Sequence, residues 1–507
     1  MIRWFIFFGI LFGCTTLRTT AQTPSFVTDS LDNYIKRGLA QWQVPGLALA
    51  IVHQQKVVVA KGYGVKDVTT KAPVDANTLF YIASNSKLFT GTALAHAAYR
   101  KKLQLDDKIT RYFPDYSLYD TSASQLVSVR DMLTHRIGTK TFQGDFTFFN
   151  GNISRSEIMY RMRFMQPSAP FRQTFGYCNS CYLTAGEVLR KATNIPWEVY
   201  VYDSLLTPLE MRQSHTLSRG AERMKNIATP YTTAVNNQLT AVPYDDWDNL
   251  APAASIISNA NDLTHWLKMQ LDSGRYNGKQ ILPWSVIAQT RDINTIISSR
   301  KNNTFPSTYR GYGLGLFVQD WNGYQVYWHS GGASGMVSYL AFIPALQVGF
   351  AILTNNDDQN FFTALWAQLL DAYTGMPYTD RNAPMLQAHL KEKEAQATAN
   401  QKLQERQGNN KPPQPLEQYA GSYEHPLYGK VTVTVSEQKL QFKFHGHNNL
   451  TATAQYIGNN EWLPTFNNAV YGNAPMKFTL EKGIVTHLTV KVSDFVEYDS
   501  YTFTKVK

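Results

Sequence analysis

The spacing of hydrophobic and polar positions changes twice in the first part of the chain. Apolar residues recur at helical spacing between residues 31 and 44, at Leu31, Tyr34, Ile35, Leu39 and Trp42. This spacing predicts an amphipathic helix, which Val44-Pro45-Gly46 ends. The next two runs, 47–52 and 56–61, are rich in β-branched residues and are joined by His53-Gln54-Gln55. They predict a β-hairpin.

A long region with both kinds of pattern follows the hairpin. Helical spacing predicts four helices in it, near residues 87–101, 128–135, 180–192 and 261–272. Apolar and aromatic runs between turn residues then predict three strands, at 324–328, 337–342 and 349–353. Because strands lie at both ends and helices between them, we expect an α+β fold. In this fold an antiparallel sheet is built from both ends of the region and packs on a helical insert.

The composition changes again near residue 388. Residues 388–411 are rich in Gln, Lys, Glu, Ala and Asn and predict an exposed helix, and Lys411-Pro412-Pro413-Gln414-Pro415 predicts a stiff spacer. The remaining chain predicts a small all-β barrel or sandwich, with strands at 430–435, 440–445, 477–480, 486–492 and 498–503. The predicted domains are therefore 22–387 and 416–507, and residues 388–415 link them.

The N-terminus predicts export. A short basic start, Met1-Ile2-Arg3, precedes an apolar run from Trp4 to Gly13 and then small and polar residues up to Ala21. This is the pattern of a secretory signal, with cleavage before Gln22. Lipidation of Cys14 is the alternative. We therefore expect a periplasmic or secreted protein, and no other segment is long and apolar enough to span a membrane.

Charge and cysteine content narrow the function classes. The net charge is +10, but the basic residues are spread along the chain without the runs that bind nucleic acid. Cys178 and Cys181 form a C-x-x-C pair. A second pair of metal ligands and the thioredoxin-like βαβ pattern are both missing around them. Two packed apolar side chains are therefore the favoured interpretation, and a disulfide in an oxidising compartment remains open.

Ser84-Asn85-Ser86-Lys87 offers a nucleophile and a base. Residues three apart share one helix face, so Lys87 can lie against the Ser84 hydroxyl and, if desolvated and neutral, accept its proton. A position at a helix start also offers backbone N–H groups to an oxyanion. The same spacing recurs at 298–301 and 436–439 in polar, loop-like context, so S-x-x-K alone is not specific.

Two further motifs supply suitable partners. Tyr177 and Asn179 form a Y-x-N motif, in which an adjacent ammonium would lower the phenol pKa so that the tyrosine acts as a base. The Asn179 amide could bind both the lysine and a substrate carbonyl. His329 begins the sequence His329-Ser330-Gly331-Gly332 after an aromatic strand. The two glycines of this motif, Gly331 and Gly332, would allow a substrate backbone to approach closely.

Taken in order, S-x-x-K, Y-x-N and H-x-G resemble the motifs of serine hydrolases related to class C β-lactamases and penicillin-binding proteins. Other stretches are similar too: Val44 to Ala48, Leu105 to Asp107, Val129 to His135, and Pro252 to Ser255. The resemblance covers roughly residues 28–375 and implies a β-lactamase-like fold. The C-terminal part resembles the lipocalin-like β-barrel that many of these hydrolases carry.

The resemblance also implies roles for individual residues. Ser84 would be the acylating nucleophile, Lys87 its proton partner and Tyr177 the general base. Asn179 would orient the substrate amide, and His329, Gly331 and Gly332 would line the substrate strand. The N–H groups of Ser84 and Gly332 would form the oxyanion hole. No metal or organic cofactor is required by this chemistry.

The third motif affects the expected substrate. β-Lactamases usually carry Lys-Thr-Gly there, whereas a neutral His329 would attract a substrate carboxylate less strongly. The expected function is therefore hydrolysis of an amide or ester, with D-amino-acid peptides such as peptidoglycan fragments as substrates. The alternatives are a β-lactamase or DD-carboxypeptidase, a carboxylesterase, and a non-catalytic receptor. Oligomerisation through the C-terminal domain remains open.

Overall fold

The computed structural model describes residues 22–234, 238–406 and 411–506. The predicted signal sequence, its cleavage site and Cys14 lie outside these residues. Within them, no helix is long and apolar enough to cross a membrane. The chain forms an α+β hydrolase-like region followed by a closed β-barrel, and this confirms the predicted fold class.

The first region is built on one antiparallel sheet. Its strands are β1 (Gly46–His53), β2 (Lys56–Gly64), β3 (Thr295–Ser298), β4 (Arg310–Tyr312), β5 (Phe317–Trp321), β6 (Tyr324–Ala333), β7 (Met336–Ile343) and β8 (Val348–Thr354). They lie in the order β2-β1-β8-β7-β6-β5-β4-β3. The two ends of the region therefore meet where β1 pairs with β8, as expected. The pattern missed β3, β4 and β5, which are short.

Strand β1 explains why both faces of this sheet are covered. Its residues alternate between two hydrophobic cores, with Leu47 and Ile51 in one and Ala48 and Val52 in the other. Since successive side chains point to opposite faces of a strand, a run without polar positions needs cover on both sides. The predicted turn also forms, because Gln54 and Gln55 both adopt positive φ, at 50° and 64°.

Helices cover both faces. The longer ones are α1 (Leu31–Trp42), α2 (Ser86–Tyr99), α3 (Asn179–Thr193), α4 (Ala260–Leu271), α5 (Gln359–Tyr373) and α6 (Asn382–Glu405). The shorter ones are Ile109–Tyr112, Thr121–Leu126, Val129–Leu133, Asp145–Phe148, Arg155–Arg161, Trp197–Val201, Ala251–Ala254, Trp284–Arg291 and Leu416–Tyr419. The four helices predicted in the insert form close to their expected bounds. The exposed helix begins at Asn382 rather than near 388, and α5 was not predicted.

The C-terminal region is a closed barrel in which each strand pairs with the next. Its strands are β9 (Gly421–His425), β10 (Gly429–Ser436), β11 (Lys439–Phe444), β12 (Thr451–Gly458), β13 (Glu461–Phe466), β14 (Met476–Glu481), β15 (Ile484–Lys491) and β16 (Ser500–Val506). Pairing of β9 with β16 closes it and removes both sheet edges. The sequence pattern missed β9, β12 and β13 and placed the start of the last strand two residues early.

The barrel packs on the helical insert through a loop at residues 140–152. Phe146 in this loop is fully buried at the mouth of the barrel. Its ring lies 4.8 to 6.0 Å, centroid to centroid, from barrel rings, namely those of Tyr428, Phe444, His447, Tyr471 and Tyr501. Backbone bonds add to this contact, since the Asn152 N–H donates to the Gly446 carbonyl at 2.9 Å. The two regions therefore share one buried aromatic cluster.

Candidate active site

Ser84 lies in a 3₁₀ turn, Ala83–Asn85, directly before α2. Ala83 has φ of 48°, a left-handed conformation that a residue with a Cβ rarely adopts. Strand β7 holds the turn in place, because the Ser338 hydroxyl donates to the Ile82 carbonyl at 2.7 Å. The Asn85 amide donates to the same hydroxyl at 2.8 Å. The sheet therefore fixes the backbone on both sides of Ser84.

Lys87, one turn further on, is fully buried behind Ser84. Its Nζ lies 3.1 Å from Ser84 Oγ, 2.7 Å from Asn179 Oδ1 and 2.9 Å from the Ala253 carbonyl oxygen. Burial lowers the pKa of the ammonium to about 7, against the opposing effect of Asp145. A neutral amine can donate one hydrogen to each of the two carbonyl oxygens, which leaves its lone pair for the Ser84 hydroxyl.

Tyr177 and Asn179 approach the same two groups from the start of α3. The Tyr177 side chain lies beside that of Ser84, and the Lys87 Nζ lies 4.7 Å from the centre of the phenol ring. Burial raises the pKa of this phenol well above its usual value. The prediction that the neighbouring ammonium lowers it is therefore wrong, because desolvation outweighs that attraction. Tyr177 is a neutral phenol at neutral pH.

His329 is buried and neutral. Its Nδ1 lies 2.6 Å from the Ser330 carbonyl oxygen and its Nε2 lies 3.0 Å from the Tyr312 hydroxyl. Nδ1 therefore carries the proton and Nε2 accepts from the tyrosine. Burial, with a smaller effect of Lys87, lowers the pKa of His329 to about 3. The expectation of a neutral histidine in the third motif is confirmed.

The end of β6 presents an edge to the site. Strand β5 pairs with β6 only up to Trp328, whereas His329 to Ala333 pair with β7 alone. The Ser84 turn lies against this segment, since a Cβ added to Gly331 would sit 2.9 Å from the Ser84 nitrogen. Gly331 is therefore required for the close approach of the turn to the strand. A substrate backbone can lie along the remaining edge.

A cavity of about 420 Å³ opens above these groups. Of the predicted residues, Ser84, Tyr177, Asn179, His329 and Gly332 line it, while Lys87 and Gly331 lie behind them. Seven aromatic residues also line it, namely Phe142, Phe149, Phe175, Trp247, Phe317, Phe495 and Tyr498. The structure thus brings all seven predicted site residues together from three distant parts of the chain.

Cys178 and Cys181 lie beside the site without lining the cavity. Both are buried free thiols, with their sulfur atoms 2.8 Å apart. Within the described part of the chain, no cluster of His, Cys, Asp and Glu could hold a metal ion. The Cys178 N–H donates to Nδ1 of the buried His135 at 3.0 Å, which fixes the backbone between Tyr177 and Asn179. The pair is therefore part of the packing at the start of α3.

Several residues at the site belong to none of the three sequence motifs. Asp145 accepts the Asn179 side-chain N–H at 2.6 Å, and Ala253 offers its carbonyl to Lys87. Ala253 falls in a stretch noted from the sequence, Pro252 to Ser255, but only as part of a familial segment. Tyr312 lies on a strand that was not predicted. Phe495 and Tyr498 come from the barrel, and nothing local in the sequence associates them with Ser84.

Comparison with known proteins identifies the family. Residues 31–374 match the sequence profile of the family described as Beta-lactamase. The chain belongs to this family. Its members are usually serine hydrolases that act on amide or ester bonds, although some are non-catalytic. Residues 405–505 match a domain of unknown function, DUF3471, and this range contains all the barrel strands except Val506, the last residue of β16.

Individual relatives agree with this assignment. Penicillin-binding protein 4 of Amycolatopsis lactamdurans is 28% identical over 359 residues, which are 67% of this chain and 89% of that protein. Protein flp of Staphylococcus aureus (strain MW2) is 24% identical over 329 residues, or 64% of this chain. The chain spans only 62% of the length of that relative.

The fold also matches a solved structure along nearly its whole length. The octameric penicillin-binding protein homologue from Pyrococcus abyssi aligns with a TM-score of 0.60 and 20% sequence identity. The alignment covers 94% of this chain and 99% of that chain. The combination of hydrolase-like region and barrel is therefore shared with that protein.

Proposed function

We propose that the protein is an exported serine hydrolase that cleaves an amide or ester bond through an acyl-enzyme on Ser84. The observation that carries this proposal is the buried Lys87 amine. It lies 3.1 Å from the Ser84 hydroxyl, and its pKa is lowered to about 7. At this distance a neutral amine can take the hydroxyl proton while the oxygen attacks a carbonyl carbon.

The proton then has a route to the leaving group. The Tyr177 phenol is neutral and lines the cavity beside Ser84 and Lys87, so it can donate to the departing nitrogen or oxygen and be reprotonated by Lys87. Lys87 therefore takes the base role that the motif comparison assigned to Tyr177, and Tyr177 becomes the relay. In deacylation water attacks the ester carbonyl and gives up its proton along the same path.

The developing oxyanion needs hydrogen-bond donors. We assign this role to the backbone N–H groups of Ser84 and Gly332. The close packing of the Ser84 turn on Gly331 and the unpaired edge of β6 support the assignment. Donors on the backbone are held rigidly, so they require little reorganisation during the reaction.

The cavity favours a small amide or ester with an apolar side chain and an acidic group. Aromatic rings form much of its wall, and Arg310 lies beside them over the Phe317 ring at 5.4 Å. Among the described residues this guanidinium has no hydrogen bond or ion pair to a protein group. It can therefore bind a substrate carboxylate. Peptides ending in a D-amino acid, such as peptidoglycan fragments, fit this description.

Two alternatives among enzymes remain outcomes of the test. A carboxylesterase would use the same centre without needing Arg310. A β-lactamase or DD-carboxypeptidase would also form an acyl-enzyme on Ser84, and one relative is called a penicillin-binding protein. The neutral His329 argues against efficient β-lactam hydrolysis, because it cannot attract the carboxylate of the antibiotic as an ammonium group does.

Covalent labelling tests the proposal directly. Purified protein is incubated with a fluorophosphonate and its intact mass is recorded, followed by peptide mapping. We expect one adduct, on Ser84, and a burst of p-nitrophenol from p-nitrophenyl acetate with an amplitude near one per chain. Ser84→Ala should abolish both signals and leave the fold intact.

The outcomes separate the candidate functions. Release of a D-amino acid from D-peptides supports the favoured substrate class and includes a DD-carboxypeptidase activity, whereas turnover of esters alone supports a carboxylesterase and turnover of nitrocefin a β-lactamase. A wild-type protein that is folded but never labelled would be the non-catalytic receptor. Labelling that persists in Ser84→Ala would place the nucleophile elsewhere.

A further inference from the structure

The C-terminal barrel contributes a segment to the candidate active site. Phe495 and Tyr498, between β15 and β16, line the cavity that contains Ser84. On the outer side of this contact, Lys140 forms an ion pair with Asp499 at 2.8 Å. The barrel therefore contacts the cavity itself and, outside it, the loop at residues 140–152.

Glu497, in the same segment, is buried with 1% of its surface exposed. Its Oε1 accepts the Gly144 N–H at 3.0 Å, and its Oε2 accepts the Phe146 N–H at 2.8 Å. The Tyr501 hydroxyl also donates to Oε2, at 2.9 Å. Burying a carboxyl group is unfavourable unless donors satisfy it. Here three donors bind the Glu497 carboxyl group, and two of them belong to the hydrolase-like region.

The two backbone donors flank Asp145. This residue is buried, and its Oδ2 accepts the Asn179 side-chain N–H at 2.6 Å. Its Oδ1 has no hydrogen-bond partner among the described residues. Within the described part of the chain, this carboxyl therefore makes one hydrogen bond, to Asn179, and its place depends on the backbone that Glu497 holds on both sides.

Asn179 transmits this placement to the catalytic centre. Because its NH₂ group donates to Asp145, its Oδ1 faces Lys87 and accepts from Nζ at 2.7 Å. Lys87 in turn lies against Ser84. A continuous path of hydrogen bonds and backbone thus joins a barrel carboxylate to the nucleophile.

We infer that Glu497 is a positioning residue through which the barrel holds Asp145, Asn179 and Lys87 in the geometry needed for acylation. This inference rests on the proposed function. It gives the barrel, which matches a domain of unknown function, a part in the hydrolase site. Glu497 contacts neither the cavity nor a reacting atom and acts through Asp145.

The test replaces Glu497 without changing the size of its side chain. In Glu497→Gln one oxygen becomes an NH₂ group that opposes a buried N–H donor, so the loop on one side of Asp145 shifts. We expect kcat for p-nitrophenyl acetate to fall at least about tenfold and KM to change by a smaller factor, because Lys87 acts in the chemical step whereas the loop forms only part of the cavity wall. Glu424→Gln, on the exposed side of β9, is the matched control and should behave as wild type.

A second variant keeps the inference testable if Glu497→Gln does not fold. Tyr501→Phe removes one donor from Glu497 and leaves both backbone bonds, so it should retain at least about one third of wild-type kcat. Folding is checked by near-UV circular dichroism and the thermal midpoint. A Tyr501→Phe protein that loses activity as completely as Ser84→Ala would overturn the inference, since the two loop bonds would then not be the important ones.

Fluorophosphonate labelling separates this inference from the function it depends on. If the wild type is labelled on Ser84 and folded Glu497→Gln is labelled at least about tenfold more slowly, the inference is supported. If both are labelled at the same rate, Glu497 is only a structural contact and the inference fails. If the wild type is not labelled at all, the proposed function itself fails, and the inference with it.

Discussion

At the scale of single residues, the chemistry of the site follows from the burial of one ammonium group. Lys87 is fully buried, and desolvation brings its pKa to about 7. The same burial has the opposite effect on Tyr177, whose phenol pKa rises. Since desolvation favours the neutral form of each group, the site holds an amine that can act as a base and a phenol that cannot.

The first prediction concerns pH. The neutral fraction of Lys87 increases as the pH rises through 7, so kcat/KM for p-nitrophenyl acetate should rise with a midpoint near pH 7 and level off at higher pH. Lys87→Arg should be inactive at every pH, because a guanidinium does not deprotonate in this range. The exposed Lys301→Arg is the control and should keep the wild-type profile. A flat profile between pH 5 and 9 would contradict the assigned base.

Removal of the Tyr177 hydroxyl tests the proton relay. Tyr177→Phe keeps the ring packed on His135, 4.3 Å away, but cannot transfer a proton. We expect kcat to fall by about 10²–10⁴-fold with little change in thermal midpoint. Tyr119→Phe, an exposed tyrosine, should have no effect. A Tyr177→Phe enzyme within threefold of wild type would exclude the relay.

Arg310 tests the substrate class. Because its guanidinium has no ion-pair partner in the described part of the chain, Arg310→Gln should raise KM for substrates with a free carboxylate by roughly tenfold or more. KM for neutral esters should change much less. Arg300→Gln, an exposed arginine outside the cavity, serves as the matched change of charge. An equal change in KM for both substrate types would show that Arg310 does not bind the substrate carboxylate.

At the scale of elements, the site is a turn pressed on the end of a strand. The strand predicted at 324–328 ends at Trp328, whereas β6 continues to Ala333. Its glycines are unfavourable in an isolated strand, but here they admit the Ser84 turn. A prediction from local propensity therefore ends this strand too early. The contact with the Ser84 turn explains why the strand continues through the glycines.

Two neighbouring glycines give a matched pair of substitutions. A Cβ at Gly331 would lie 2.1 Å from the Ile82 carbonyl oxygen, so Gly331→Ala must displace the Ser84 turn. A Cβ at Gly332 would meet the Phe495 ring at 3.4 Å and Gln359 Nε2 at 3.6 Å, which are ordinary van der Waals distances. We expect Gly331→Ala to lose about 10²-fold or more in kcat/KM and Gly332→Ala to stay within about tenfold. Steady-state kinetics checks this, and equal losses would contradict it.

At the scale of the whole molecule, the active site depends on two regions that the sequence separates. The loop at 140–152 carries Asp145 toward Asn179 and inserts Phe146 into the mouth of the barrel. The same short helix, Asp145–Phe148, thus joins the candidate site to the barrel core. Folding of the two regions should therefore be coupled.

Truncation of Phe146 tests this coupling. Phe146→Ala removes a fully buried ring, which should cost about 3–5 kcal/mol of stability. In calorimetry we expect one transition for the wild type and two for the variant, since the barrel and the hydrolase-like region would then melt separately. Phe164→Ala, which removes a ring with 37% exposure, should leave a single transition. One unchanged transition in Phe146→Ala would refute the coupling.

Much of this protein could be predicted from its sequence because the relevant signals are local. Periodicity identifies the hairpin, the main helices and most of the longer strands, since each depends on side chains a few residues apart. The spacing of Ser84 and Lys87 places both on one helix face, and the motif order identifies the family. Export remains a prediction, because residues 1–21 lie outside the described part of the chain.

Only the tertiary structure decided the rest, because it depends on contacts between distant residues. The direction of the Tyr177 pKa shift follows from its burial, which no local pattern reports. Strands β3, β4 and β5 are short and take their place from pairing within the sheet. Above all, Glu497 reaches Asp145 across more than three hundred residues of sequence. Composition and spacing describe neighbours along the chain, whereas this contact exists only once the barrel has packed on the loop.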